Sequence, residues 1–379
     1  MDFSFSEEQT LLRNTVQAFL QDKYDFETRR KIAKTPEGWR PDYWQQFAEL
    51  GLLAAPFPEE LGGLGGGHIE TMIVMEEFGR FLVVEPYVET VVLAGGLIAD
   101  LGSDAQKEAL IPGIVGGETV WTFAYAEPQG RFNLADLTTT AKKDGDGYVL
   151  NGYKCVVMAA PWADKLIVSA RTSGGQRDKD GVSLFIVDKS ADGVSTRDYP
   201  TVDGRRASEV TLENVKVGAD ALLGEEGKAL PAIEKVTDFA IGALCAEAVG
   251  NMKELNDATV EYCKTRKQFG VPIGKFQVLQ HRMVDMFMAY EQSVSMTYMV
   301  NMKLDESAEE RAKAAAGAKV QIGKAGRFVA QQAVQLHGGM GMTDELNVGH
   351  YFKRLTMIDT QFGNVDYQLK RYSTVSEAA

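Results

Sequence analysis

A chain of 379 residues is longer than one hydrophobic core usually serves, so two or three domains are expected. With 45% hydrophobic and 25% charged residues and no apolar run of membrane-spanning length, the composition is that of an ordinary soluble protein, and no membrane partner is expected. A net charge of −13 argues against nonspecific binding to nucleic acid or anionic lipid, though not against an anionic ligand held by local cations.

The N-terminal Met1-Asp2-Phe3-Ser4-Phe5 has neither a basic start nor an apolar core, so no secretory signal is expected and the location reads as cytoplasmic. Ser6-Glu7-Glu8-Gln9 has capping-box form, with Leu11, Leu12, Val16 and Phe19 as the apolar face of the helix it opens. Helical patterns recur over Trp39 to Leu53 and Thr71 to Leu82, and residues 1–120 read as an all-α domain. Between them, Leu61 to His68 is glycine-rich. No strand precedes it and no Lys-Ser or Lys-Thr follows, so it reads as a mobile loop rather than a phosphate loop, with His68 solvated.

From Thr122 the period shortens. Leu137 to Lys142, Gly147 to Leu150, Lys165 to Arg171, Val182 to Val187 and Ser208 to Leu212 are short β-rich runs. Asp144 to Gly147 and Asn151-Gly152 supply turn signals between them, which predicts a small antiparallel β domain over 121–226. Cys155, Cys245 and Cys263 are widely spaced in apolar surroundings. They read as buried thiols, with neither a disulfide framework nor a metal site.

Helical periodicity resumes at about Gly227 and lasts nearly to the end, so 227–379 reads as a four-helix bundle and the class as α+β. Met283, Met286, Phe287 and Tyr290, and again Ile322, Ala325, Phe328 and Val329, form stripes expected in its core. Within it, Asp238 to Tyr262 predicts a helix ended by Gly270 and Pro272, with Arg266-Lys267-Gln268-Phe269-Gly270 at its C-terminus and Phe276-Gln277 beyond. Arg offers a rigid fork for a pyrophosphate, Phe a flat face, and Gly a backbone open to close approach. The same residues also fit a plain basic helix end with Phe269 in the core.

A second stretch, Gln335-Leu336-His337-Gly338-Gly339-Met340-Gly341, turns this into a specific resemblance. Together the two resemble the R-K-x-F-G, F-Q and Q-x-x-G-G-x-G elements of the acyl-CoA dehydrogenase flavoenzymes. The likeness continues through Met342 to Glu345 and His350 to Leu355, covers nearly the whole chain, and is greatest to the small-subunit type of pimeloyl-CoA dehydrogenase. It implies an N-terminal helical domain, a central β domain and a C-terminal helical bundle.

The resemblance also implies FAD, an acyl-CoA substrate, and an electron-transfer flavoprotein as acceptor. In the family's homotetramers the Arg and Phe of the first element and the Gln and Gly of the second reach the ADP half of a flavin seated in the neighbouring subunit. Arg266, Phe269, Gln335 and Gly339 match them; Gln268, Phe276, Gln277, Leu336, Gly338 and Asn364 complete the expected cofactor-binding set. Asp238 matches a position that touches the pantetheine chain and is the expected substrate contact.

The catalytic half departs from the pattern. The family's T-E-P-G-x-G-S-D flavin segment is matched by Ala126 to Asn133, which keeps Glu127 and Pro128 but puts Ala126, Arg131 and Phe132 at hydroxyl and glycine positions. The next, Trp-x-Thr or Trp-x-Ser, reads Val156-Val157-Met158. Of the two positions where the family carries its base, one holds Phe362 and the other Ala240. Asp366 and Glu247 are weak substitutes, with Asp359 also near in sequence, and the lone His281, His337 and His350 read as packed or capping residues. The expectation is a dehydrogenase subunit that lacks the base and pairs with a second acyl-CoA dehydrogenase chain in an α2β2 tetramer. The alternatives are a self-sufficient homotetramer with an atypical base, or a flavin-free binding protein on the same fold.

Overall fold

The computed structural model describes residues 4–378, so Met1, Asp2 and Phe3 of the N-terminal reading lie outside the described residues. The fold is that of the expectation: an N-terminal helical region, a β sheet in the middle of the chain and a C-terminal helical region. By internal contacts the chain forms two compact units. One gathers Met1–Lys31, His68–Val83 and Ile241–Ala379; the other gathers Ile32–Gly67 and Val84–Ala240. No described helix is long and apolar enough to cross a membrane.

In the first unit, helix Glu7–Lys23 opens on the predicted capping box. The Ser6 hydroxyl accepts from the Gln9 N–H at 3.1 Å, and Gln9 Oε1 accepts from the Ser6 N–H at 3.1 Å. Its buried face is Val16 and Leu20, whereas Leu11 is exposed. Helix His68–Phe81 begins earlier than its pattern, so His68 is not a solvated loop residue: it is half-buried and faces Asp305 at 3.2 Å.

Helix His68–Phe81 meets helix Leu230–Thr265 by backbone against backbone. A Cβ on Gly79 would stand 2.1 Å from the Glu247 carbonyl, and one on Gly250 would stand 2.0 Å from that of Glu76. Only glycine permits this approach. Helices Gln277–Met302, Ala308–His337, Val348–Thr360 and Val365–Ala378 complete the unit. Its centre is the small-residue face of Ala308–His337, where Ala315, Ala318, Ile322, Val329 and Ala333 are buried. One expected stripe is not core: Met286 is buried, but Phe287 is 55% exposed, beside exposed Val284 and Met288.

The second unit holds an eight-stranded sheet. Its order is Val194–Pro200, Arg206–Val217, Gly147–Met158, Thr140–Asp144, Lys165–Arg171, Val182–Asp188 and Leu222–Leu223, with Trp121–Ala124 beside Lys165–Arg171. Pairing is antiparallel except for Trp121–Ala124 against Lys165–Arg171 and a single Thr140–Arg171 pair. Asn151-Gly152 is not a hairpin turn. The strand runs through it with a register shift, because Gly152 lies against Thr139, where a Cβ would stand 2.3 Å from the hydroxyl.

The glycine-rich segment before His68 is tied back by backbone hydrogen bonds. The N–H groups of Leu64, Gly65 and Gly66 donate to the carbonyls of Ala54, Phe57 and Ala55, and Gly63 rests on the Phe57 backbone. Cys245 and Cys263 are buried thiols, but Cys155 is half-exposed. No group of residues able to hold a metal ion occurs among the described residues.

Candidate active site

Helix Leu230–Thr265 does not end in the simple stop that its glycine and proline predict. Lys267–Gln268 pairs with Val271–Pro272 as a two-residue ladder, and Phe269 and Gly270 form the turn with φ of 53° and 79°. Two successive positive φ values are the geometry of a tight hairpin, natural for Gly and costly for Phe. The Phe269 ring is 91% exposed, its edge toward Phe276 with centroids 6.1 Å apart, and the whole run 264–270 is exposed. The hairpin is closed at its base, where the Ile273 N–H donates to the Arg266 carbonyl at 2.8 Å, while Gln277 opens helix Gln277–Met302.

The second element follows helix Ala308–His337. Gly338 has φ 58° and ψ −139°, a conformation open only to glycine, and a Cβ on Gly338 or on Gly339 would meet nothing within 4 Å. Gln335 is exposed, whereas the Leu336 side chain is buried, which limits Leu336 to backbone contacts. The Tyr262 and His337 rings stack with centroids 4.4 Å apart. Arg266 lies one turn beyond Tyr262 and Gly338 is next to His337, so the two elements issue from one place in the same unit. Arg266, Phe269, Gln335 and the two open glycines together fit a phosphate-bearing nucleotide: a guanidinium, a flat ring face, an amide and unobstructed backbone.

The positions where the resemblance puts a base, and the acids near them, are otherwise engaged. Ala240 is buried in helix Leu230–Thr265, as is Asp238. Glu247 and Arg354 are both buried and paired through two bonds, Nε to Oε1 at 2.6 Å and NH2 to Oε2 at 2.7 Å. Both oxygens of Glu247 therefore already face a fixed cation. Asp366 is exposed in the first turn of helix Val365–Ala378, where the helix dipole favours an acid. Asp359 pairs with Arg327 at 3.0 Å.

Phe362 has φ 54° in a turn fastened from both sides. Lys319, fully buried, donates to the carbonyls of Ile358 (2.7 Å), Asp359 (3.0 Å) and Gly363 (3.1 Å), and Gln368 Nε2 donates to the Phe362 carbonyl at 2.6 Å. Asn364 Oδ1 accepts from the Tyr367 N–H at 3.1 Å, which makes it the cap of the last helix. Burial pulls the Lys319 ammonium down to about 8, opposed by Cys245 and Asp359. The three carbonyls of a helix end keep it protonated at neutral pH.

In the second unit, Glu127 is an internal strut. It accepts from Lys154 Nζ (2.8 Å), the Thr138 N–H (2.7 Å) and hydroxyl (2.5 Å), the Thr139 N–H (3.1 Å) and Gln129 Nε2 (2.8 Å). Burial alone would raise its pKa; Lys154 and the threonine donors outweigh that and hold it at about 2. Neither lysine is marked by the sequence, since each lies in a run where a solvated Lys is the ordinary reading.

Val156 has φ 51°, an outlier for a β-branched residue, at a bulge between Lys154 and Val157. The Glu209 carboxylate accepts from the Val156 N–H and from the Tyr153 and Tyr199 hydroxyls. The backbone irregularity is present, but Val156 and Met158 bring no hydrogen-bonding side chain to it.

Three domain families match the chain in order: the acyl-CoA dehydrogenase N-terminal domain over residues 6–118, the middle domain over 122–215 and the C-terminal domain over 231–373. A probable acyl-CoA dehydrogenase, YngJ of Bacillus subtilis, is 30% identical over 373 residues, 97% of each chain. Among solved structures, butyryl-CoA dehydrogenase from Megasphaera elsdenii is similar with TM-score 0.92 at 26% identity, and the ChsE4-ChsE5 complex from Mycobacterium tuberculosis with TM-score 0.91 at 26% identity. In both, the match covers 100% of each chain.

Proposed function

We propose, from the premise that this chain belongs to the acyl-CoA dehydrogenase family of FAD-dependent oxidoreductases acting on acyl-CoA thioesters, that it is the base-lacking partner in a heteromeric member of that family. In such enzymes the bound flavin takes a hydride from the β carbon of the acyl group. What this chain contributes, in the proposal, is the grip on the ADP half of a flavin seated in a neighbour. Arg266 pairs with the pyrophosphate, Phe269 covers a base or sugar, and the backbone at Gly338 and Gly339 lets the ligand approach.

The observation that carries the reading is the contrast within one chain. Arg266, Phe269, Gln335 and the open glycines are exposed, while Phe362 and Ala240 occupy the positions where the resemblance puts an acid and Glu247 is paired with Arg354. An atypical base in a self-sufficient enzyme is the weaker reading, because Glu247 is gripped and Asp366 is exposed at a helix start. Exposed Val278, Val284, Phe287 and Met288 on helix Gln277–Met302 give a second subunit an apolar surface, as a multimer requires. That a solved relative is a complex of two named components, ChsE4 and ChsE5, supports a heteromeric assembly, and the α2β2 arrangement of the pimeloyl small-subunit type is part of the proposal. A cytoplasmic location and reoxidation by an electron-transfer flavoprotein belong to the same proposal.

The test is reconstitution with a second acyl-CoA dehydrogenase chain that carries Glu at one of the family's base positions. The assembly should carry about one FAD per unlike pair, and Arg266→Ala in this chain should lower flavin retention about ten-fold or more, the worth of one charge-assisted contact. Unchanged flavin retention in the variant would remove the proposed grip.

A further inference from the structure

His350 lies in the first turn of helix Val348–Thr360, buried, with Phe26 edge-on at 5.0 Å between ring centroids. Its Nδ1 is 3.2 Å from NH1 of Arg29, itself buried on helix Phe26–Lys34. A guanidinium can only donate, so Nδ1 has to accept, and the ring proton is therefore on Nε2. Nε2 lies 3.2 Å from both the carbonyl and the Oδ1 of Asp344. Arg29 also donates through Nε to the Leu82 carbonyl at 3.3 Å, and Arg30 NH1 donates to the Asp344 carbonyl at 3.4 Å. All these residues belong to the first unit.

We propose that Arg29, His350 and Asp344 form a proton-sensitive latch that fastens the loop 343–347, and with it the Gly338–Met342 turn, to helix Phe26–Lys34. The neutral imidazole is the keystone, since it accepts from Arg29 on one side and donates to Asp344 on the other. A second ring proton would place an N–H donor against the guanidinium, which can itself only donate.

Among the described residues, the charged groups that face His350 are Arg29 and Arg30 on helix Phe26–Lys34, Asp344 in the loop, and Lys353 on its own helix. Burial is the largest influence on the ring and lowers its pKa; Arg29 and Lys353 act the same way, against Asp344. The sign follows from linkage. The folded chain binds the His350 proton less readily than the unfolded chain, so the latch is complete above the ordinary histidine value of about 6.5 and fails as pH falls through the lower folded value. That an open latch would also loosen the glycine element as a nucleotide grip rests on the reading above. The latch itself does not, and its test uses neither flavin nor partner.

Hydrogen exchange of the full-length chain at about pH 7.5 and about pH 5, corrected for intrinsic exchange, reads the loop directly. Protection of 338–347 should fall about ten-fold or more at the lower pH, while helix Leu230–Thr265 stays protected. His350→Gln, whose amide can accept from Arg29 and donate to Asp344 but cannot take up a proton, should abolish the pH dependence. Should that variant lose protection everywhere, the wild-type profile decides: loss confined to 338–347 supports the latch, and uniform loss or none overturns it. The same pH dependence in a folded His350→Gln chain also overturns it.

Discussion

Tyr262 and His337 stack at 4.4 Å between ring centroids, 31° from parallel. They join the ends of two helices whose exits carry Arg266 and Phe269 on one side and Gly338 and Gly339 on the other. If those exits serve an external ligand, truncating them should leave the chain itself intact. Phe269→Ala should change its unfolding free energy by less than about 0.5 kcal/mol, because the ring is exposed, and could even stabilise the positive-φ turn if changed to Gly. Denaturant midpoints of the isolated chain beside flavin retention of the assembly separate the two effects.

Glu247 and Arg354 are predicted to be structural. Glu247→Gln should destabilise the chain by about 3–5 kcal/mol, the usual result of stranding one buried partner. Replacing both with apolar residues of similar volume should recover much of that loss. Equilibrium unfolding of the single and double variants checks this; a single variant of normal stability whose reconstituted assembly loses activity would instead make Glu247 a base.

Lys319 closes a helix end by three carbonyl bonds, so Lys319→Met should lower stability by about 3 kcal/mol and free the turn that carries Phe362. Lys319→Arg should not rescue it, because three carbonyls converge on one ammonium nitrogen and a planar guanidinium fork does not match that arrangement. Thermal unfolding together with exchange rates of 360–364 measures both.

Glu127 sets an acid limit. Its folded pKa of about 2 lies below the ordinary 4.5, so its contribution is fully present above about pH 4.5 and is lost as pH falls through about 2. On the order of 2–3 kcal/mol is at stake, from the size of that shift. In a pH series of urea unfolding, Glu127→Gln should be less stable at neutral pH and should flatten the acid limb.

The parts legible in the sequence were those governed by local chemistry. Ser6 and Gln9 cap as their spacing requires, and Gly338 stands where the backbone turns into a conformation only glycine adopts freely. What misled were signals whose outcome depends on distant partners. Asn151-Gly152 has turn chemistry, yet pairing with the Arg206–Val217 strand carries it straight through. The Met283 to Tyr290 stripe has helical period, but period alone cannot tell a face buried in its own core from one left for another subunit. Lys154 and Lys319 have no local signature at all: their partners are 27 and about 40 residues away.

The central claim is that this chain does not dehydrogenate by itself. Purified alone and supplied with FAD, an acyl-CoA ester and an artificial electron acceptor, it should show no turnover and little retained flavin, and both should appear with its partner. Stoichiometric FAD and full turnover in the isolated chain would contradict the account.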